Sequence, residues 1–499
     1  MSAAFHKISS IEKYKVKWLY LIMAAFILLN TYLISRDTYW ALAIPILVAL
    51  ALLFVFAFDI VILLVAFLTP LSIVLQDFDL GVSISVPSEI LLIGLMLFFI
   101  IKIIYDSDID RSFFRHPLSI LIIIHLAWML ITCLSSELPL VSFKYLLSQL
   151  WFIVPMYFMG ILYFKNEKNI RRFIRVYIAS LLIVIVYTTI RHAKVGFDEE
   201  IGHWVMYPFY NDHTAYGAIT ALLIPVSFSL SLDKSHGRFW QWFAIISTIM
   251  LSIGLYLSFS RAAWIGLLGG VIVFILVLLK IPFKWILTTL ILVIGLFFAF
   301  QQQIIDRLEK NKQDSSANFV EHVKSIANIR TDASNLERIN RWQAALRLYK
   351  ERPIVGWGPG TYQFIYAPYQ LSKEKTIIST NAGDKGNAHS EYIGPLAERG
   401  LLGTILIVLI FSFSIYYGFR VYYKASSRHH RQLAIGIIIG LITYYIHGFM
   451  NNFLDTDKLS VPFWAFYAMI VSLDMYYTNK KNSPRSDIST PPLEKPTDS

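Results

Sequence analysis

The residues best suited to chemistry in this 499-residue chain are arginines and histidines set between long apolar runs. Arg261, in Ser258-Phe259-Ser260-Arg261-Ala262-Ala263-Trp264, stands where one such run ends and the next begins. A guanidinium stays charged at any relevant pH and offers a planar fork of donors matched to phosphate oxygens. An arginine at a helix end can equally snorkel toward the headgroups, so Arg261 alone carries both readings. Arg338 and Arg341 lie three apart, neighbours on one face if the segment is helical, with Arg347 and Arg352 further along. Two guanidiniums on one face could grip a diphosphate, or form a solvated face with Glu337 as partner.

His389, in Asn387-Ala388-His389-Ser390-Glu391-Tyr392, carries the side chain best able to exchange a proton near neutral pH. His213, beside Asn211 and Asp212, and His447, before Asn451 and Asn452, are weaker candidates of the same kind. Asp455-Thr456-Asp457 has the Asp-x-Asp form that can hold a divalent cation against a diphosphate, and Asp37 could act similarly. So short a motif also arises by chance. Ala262, Gly266 and Gly270, at four-residue spacing, read as a stripe for close helix packing and not as a catalytic feature.

The elements that must position these groups are membrane-spanning helices. The chain is 56% hydrophobic and only 15% charged, far from a soluble composition, and a span needs about 20 apolar residues. Suitable runs fall at about 18–35, 39–57, 59–75, 88–105, 117–134, 140–163, 170–192, 214–231, 240–258, 261–279, 284–300, 400–419, 432–450 and 459–477. The junctions at 57–59 and 258–261 are soft, so the expected fold is an all-α integral membrane protein of twelve to fourteen transmembrane helices. The first run follows Lys7, Lys13, Lys15 and Lys17 without a small-residue cleavage site and reads as a retained helix.

With the N-terminus in the cytoplasm, alternation gives the cytoplasmic segments most of the Lys and Arg, as the positive-inside rule requires. Lys165, Lys168, Arg171, Arg172 and Arg175 form one such group; Arg420, Lys424, Arg428 and Arg431 form another. Both termini are then cytoplasmic. The net charge of +11 is a topology signal and gives no reason to expect nucleic acid. Cys133, the single cysteine, excludes an internal disulfide framework.

The expected organisation is helices 1–11 over 1–300, a large outer loop over 301–399, helices 12–14 over 400–477 and a disordered cytoplasmic tail over 478–499. A structureless loop of that size would be unusual. Leu336, Ile339, Trp342, Ala345, Leu346 and Tyr349 instead recur at helical spacing across 335–351. Ser334 fits as N-cap with Glu337 completing a capping box, and Pro353 with Gly356-Trp357-Gly358-Pro359-Gly360 ends the helix in a turn.

Four stretches together resemble the O-antigen ligase and polymerase superfamily: Asn211 opening a span; Ser260-Arg261 with its small residues; Arg338 to Trp342 followed by Pro353 to Gly360; and His389 followed by Leu396 to Gly403. The resemblance covers about 208–403. It implies a GT-C-like bundle with one helical periplasmic loop in the bacterial inner membrane. It implies an inverting, metal-independent glycosyltransferase, without cofactor, that takes its glycan from a polyprenyl-diphosphate carrier. Arg261 with Arg338 and Arg341 would hold the diphosphate, and His389 would orient or deprotonate the acceptor hydroxyl. Asn211, His213, Glu398 and Arg399, with Arg330 and Arg347, are possible secondary partners.

The acceptor could be a glycolipid, a glycan or a protein. A lipopolysaccharide ligase, a surface polysaccharide polymerase and a protein O-oligosaccharyltransferase share the expected residues. A transporter or flippase of lipid-linked glycans is the rival from another class. Such proteins usually show internal repeats and broken midplane helices, and neither is evident here.

Overall fold

The computed structural model describes residues 17, 20–21, 23–39, 44, 48, 52–54, 56–75, 84–281, 336–376, 379 and 386–478. The expected span at 284–300, most of that at 39–57, the Ser334 cap, Arg330 and the tail from 479 lie outside the described residues. Residues Met1–Ile62 form one unit, whose described part includes an apolar helix over Met23–Ile34, and Leu63–Ser499 form another.

Among the described residues of the second unit, nine helices are long and apolar enough to cross a membrane. They are α1 (Ser88–Tyr105), α2 (Pro117–Leu134), α3 (Pro139–Phe164), α4 (Glu167–Lys194), α5 (His213–Ser231), α6 (Arg238–Tyr256), α7 (Arg261–Leu278), α9 (Ile393–Lys424) and α11 (Asp457–Tyr477). Between α7 and α9 lies α8 (336–351), and α10 (Arg428–His447) completes the bundle. The fold is thus the expected all-α membrane architecture; a short antiparallel hairpin, β1 (Ile73–Leu75) with β2 (Ile84–Val86), is its small exception.

Local chemistry sets several helix starts. The Asp212 carboxylate caps α5 by accepting from the Thr214 N–H at 2.8 Å. Asn166 does the same for α4 through the Lys168 N–H at 3.1 Å, and His116 caps α2 ahead of Pro117. Each cap satisfies a backbone donor that a helix end would otherwise leave bare in a poorly hydrated region.

At the bundle centre stand α5, α10 and α11, the last almost wholly buried. Small residues let their backbones approach. A Cβ on Gly266 of α7 would lie 2.6 Å from the Thr443 carbonyl oxygen of α10. One on Gly440 of α10 would lie 2.5 Å from the Leu222 carbonyl oxygen of α5. The stripe on α7 is therefore a packing device, as its spacing suggested; the matching glycines of α10 carry the same signature.

Contacts between connecting segments sort into two groups that follow the alternation read from hydropathy. At one end, Arg352 pairs with Glu137 at 2.8 Å and Ser142 donates to the Pro359 carbonyl at 2.9 Å. At the opposite end, Tyr476 donates to Asp110 at 3.0 Å and Tyr477 donates to the Lys165 carbonyl at 2.9 Å.

The described part of the region between α7 and α9 packs around a small core of Ala345, Leu348, Tyr362, Tyr366 and Ala388 with Ala397 of α9. Its glycine-rich turn docks on the start of α9: the Trp357 and Gly358 N–H groups donate to the carbonyls of Ala397 and Glu398 at 3.0 and 2.8 Å. Gly400 makes this possible. Its φ of +67° breaks the helix, and a Cβ there would overlap the Ile354 backbone.

Candidate active site at the loop end

The site forms where α8 meets the segment returning to the membrane. Arg341, nine-tenths buried, donates from Nε to Glu337 Oε1 at 2.9 Å and from its NH1 nitrogen to the Asn387 carbonyl at 3.2 Å. The same NH1 nitrogen lies 2.9 Å from His389 Nε2. A guanidinium only donates, so His389 accepts through Nε2 and its proton sits on Nδ1. His389 has a φ of +47°, costly for a side-chain-bearing residue, and its own N–H donates to Asn387 Oδ1 at 3.2 Å. Burial, then Arg341 and Arg338, hold the imidazole down to about 3.

The face bearing Arg338 and Arg341 is not solvated. Glu337 is buried and also accepts from Thr376 at 3.0 Å, with Ser379 and Asn340 beside it. Arg338 is lowered from the usual guanidinium range by burial; Asp212 opposes that shift and Arg341 adds to it. Its field also reaches His389. The helix that carries both arginines is anchored to the bundle by Trp342, whose ring meets Phe449 edge-on at 5.4 Å.

Other candidates distribute unevenly. His213 Nδ1 lies 2.8 Å from the Ser258 carbonyl oxygen, and its ring stacks on His203 at 4.1 Å. This ties the start of α5 to the turn before Arg261. Asn211 is exposed beside it. Arg261 opens α7 with its side chain exposed and, among the described residues, without a hydrogen bond or ion pair. His447 is buried 3.5 Å from the Asn451 amide and next to the α7 stripe at Gly266.

Arg347 and Arg352 serve the fold. The first pairs with Glu374 at 2.5 Å, the second with Glu137 and the Trp357 ring. Glu398 receives the Tyr362 N–H at 3.2 Å and so secures the glycine-rich turn. Arg399 is buried among α2 and α3, with its NH1 nitrogen 3.3 Å from His125 Nε2 and its guanidinium over the Tyr145 ring. Neither touches His389.

The Asp-x-Asp pattern does not converge. Asp457, wholly buried, accepts from the Ser72 and Ser88 hydroxyls at 2.5 and 2.6 Å, with the Lys458 ammonium 3.8 Å away. Asp455 is exposed in the loop between α10 and α11, where surrounding protein and Glu391 push its carboxyl up to about 7. The two carboxylates face different surroundings.

Glu391 is the residue that sequence reading missed. Its Oε1 accepts from Tyr444 Oη at 2.7 Å and from the Phe453 and Leu454 N–H groups at 2.9 and 3.0 Å. It thereby fixes the His389 segment to the loop between α10 and α11, and burial raises its carboxyl. Its only sequence signal was proximity to His389.

An apolar groove of about 800 Å³ is lined by Ile249, Ile253, Tyr256, Leu257 and Phe259 among others, the last of these two residues before Arg261 in the chain. A multi-spanning bundle with a cationic, histidine-containing loop end defines the class of protein. Residues 246–408 match the family model for O-antigen ligase, from within α6 through Arg261, the arginine helix and His389 into α9. The match supports the resemblance to the O-antigen ligase/polymerase superfamily that the sequence implied. An uncharacterized protein of Haemophilus influenzae is 27% identical over 260 residues, covering 48% of this chain and 58% of that one. The alignment therefore spans less than two thirds of the relative's length.

Proposed function

We propose that this protein is an inverting, metal-independent glycosyltransferase that moves a glycan from a polyprenyl-diphosphate carrier to an acceptor hydroxyl in surface polysaccharide or lipopolysaccharide biosynthesis. The site faces the periplasm from the bacterial inner membrane, with both termini cytoplasmic. The observation that carries the reading is the Arg341–His389 contact beside Arg338. It joins groups able to receive a diphosphate to a group able to receive a proton.

The acceptor oxygen attacks the anomeric carbon, the carbon–oxygen bond to phosphate breaks, and the electron pair leaves on the diphosphate. Arginines aimed at that developing charge lower the barrier. Arg338 and Arg341 receive it from α8, and Arg261, exposed and uncommitted among the described residues, receives it from the membrane side. The apolar groove that includes Phe259 suits the isoprenoid tail.

His389 is a weak base while it is buried and the Arg341 and Arg338 guanidiniums face it. A bound diphosphate compensates their charge and draws Arg341 away from Nε2, so the imidazole gains proton affinity once the donor is in place. The acceptor's proton then passes to Nε2. Glu391 and the loop it secures hold that imidazole in position.

The test is to incubate purified protein with a polyprenyl-diphosphate-linked glycan and candidate glycolipid, glycan and protein acceptors. Product formation without added Mg²⁺ or Mn²⁺ is expected. Arg261→Ala weakens both donor binding and turnover. Failure to form product with any acceptor, alongside transport of the lipid-linked glycan, would favour a flippase.

A further inference from the structure

At the end of the bundle opposite the candidate active site, Glu167 opens α4 and His429 and His430 lie in the first turn of α10. The two imidazoles converge on one carboxylate. His429 Nε2 is 3.3 Å from Glu167 Oε1, and His430 Nε2 contacts Oε2. One ligand atom from each of the three residues lies within 4.8 Å of the other two. We propose that Glu167, His429 and His430 form a binding site for a tetrahedral transition-metal cation, with zinc the best match.

The donor set is the first argument. Two imidazole nitrogens and one carboxylate oxygen suit zinc, whose bonds of about 2.0–2.2 Å place neighbouring tetrahedral ligands about 3.3 Å apart. The His429–Glu167 separation already equals that edge. Water completes the fourth position, because Glu167 and His429 keep a partly open side.

The surrounding groups orient these ligands. Ser427 Oγ lies 2.7 Å from His429 Nδ1, which fixes the ring with Nε2 toward the carboxylate. Arg171 pairs with Glu167 Oε1, the oxygen 3.3 Å from His429 Nε2, while His430 Nε2 contacts Oε2. Its positive charge is offset by Asp233, whose carboxylate lies 3.8 Å from the Arg171 Nε atom. Arg175 also faces Asp233, so the Glu167 carboxylate is the anionic ligand in surroundings that are otherwise charge-balanced. Tyr477 covers His430 from α11, with ring centroids 4.5 Å apart. Arg428 and Arg431 flank the pair but are exposed, where solvent screens their charge.

The metal would staple the start of α4 to the start of α10, the helix whose far end carries His447. Its role is structural and does not depend on the reaction assigned to the loop end. Ligation requires neutral imidazoles, so acidification should release the metal.

Tag-free full-length protein in detergent, stripped with chelator and dialysed against zinc, should retain one zinc per chain and unfold at a higher temperature than the stripped form. The double variant His429→Ala, His430→Ala and the single variant Glu167→Gln should lose that equivalent. Wild-type protein reconstituted with cobalt should show the intense visible absorption of a tetrahedral site, a readout that needs no variant. No retained zinc, equal retention by a folded double variant, or a weak octahedral cobalt spectrum would each overturn the proposal.

Discussion

Arg341 has two commitments, a buried carboxylate on one side and a histidine lone pair on the other. Lysine keeps the charge but cannot reach Glu337, Asn387 and His389 from one planar fork. Arg341→Lys should therefore lower kcat by about 10²–10³, the scale of losing a preorganised donor to a developing anion. Kinetics of the purified variant check this, and wild-type turnover would remove Arg341 from the mechanism. Two pH effects of opposite sign follow from the same region. His389, held at about 3, stays neutral in the folded protein while the unfolded chain takes up a proton near 6.5. Its contribution to stability is thus lost as pH falls below 6.5. Asp455, raised to about 7, keeps its proton in the folded state when the unfolded chain has released it, so its contribution is lost as pH rises from about 4 to 7. Thermal unfolding across pH 4–8 should show His389→Gln protecting against acid and Asp455→Asn flattening the loss toward pH 7; parallel curves for wild type and variants would contradict both environments. Arg338, Arg341 and His389 were legible because cations and a histidine near apolar runs stand out. Glu391 was not, since a loop carboxylate looks like surface until its partners from a segment sixty residues away are known.

Among the described residues nine spans were legible from hydropathy, since apolar length alone defines a crossing helix and caps such as Asp212 mark its start. The expected span at 59–75 instead folds as a shorter helix, Phe58–Leu68, and the strand Ile73–Leu75. What hydropathy could not convey was which helices share a face. Small residues on α7 announced a close contact without naming α10 as the partner, and only the fold places Gly266 against Thr443. Gly266→Ala should force these helices apart at a cost of about 1–3 kcal/mol. Gly394→Ala, where the added Cβ would meet only the Ala388 Cβ at 3.5 Å, should stay within about 0.5 kcal/mol of wild type. Thermal unfolding in one detergent compares the two, and equal shifts would show that the α7–α10 approach does not limit stability. The two carboxylates of the Asp-x-Asp pattern also part at this scale. A helix start separates residues that are adjacent in sequence, turning Asp457 into the bundle toward Ser72 and Ser88 while Asp455 stays outside it.

Across the whole molecule, connecting segments divide between two ends of unlike chemistry. The loop end gathers arginines, His389 and an apolar groove that includes Phe259; the opposite end gathers Glu167 with His429 and His430. Helix α10 joins them, from His429 and His430 at one end to His447 at the other. The long segment between α7 and α9 is the part that hydropathy marked only as an interruption. Its small core and its docking onto Ala397 to Gly400 make it the platform that brings Arg341 to His389. The central claim is that this platform divides donor binding from proton acceptance. The most direct test measures both, for wild type and His389→Ala in the same lipid nanodisc preparation, with a polyprenyl-diphosphate-linked glycan as donor. The account predicts that the variant binds the donor with near wild-type affinity and forms no product above background. Wild-type turnover by His389→Ala, or loss of donor binding equal to its loss of turnover, would contradict it.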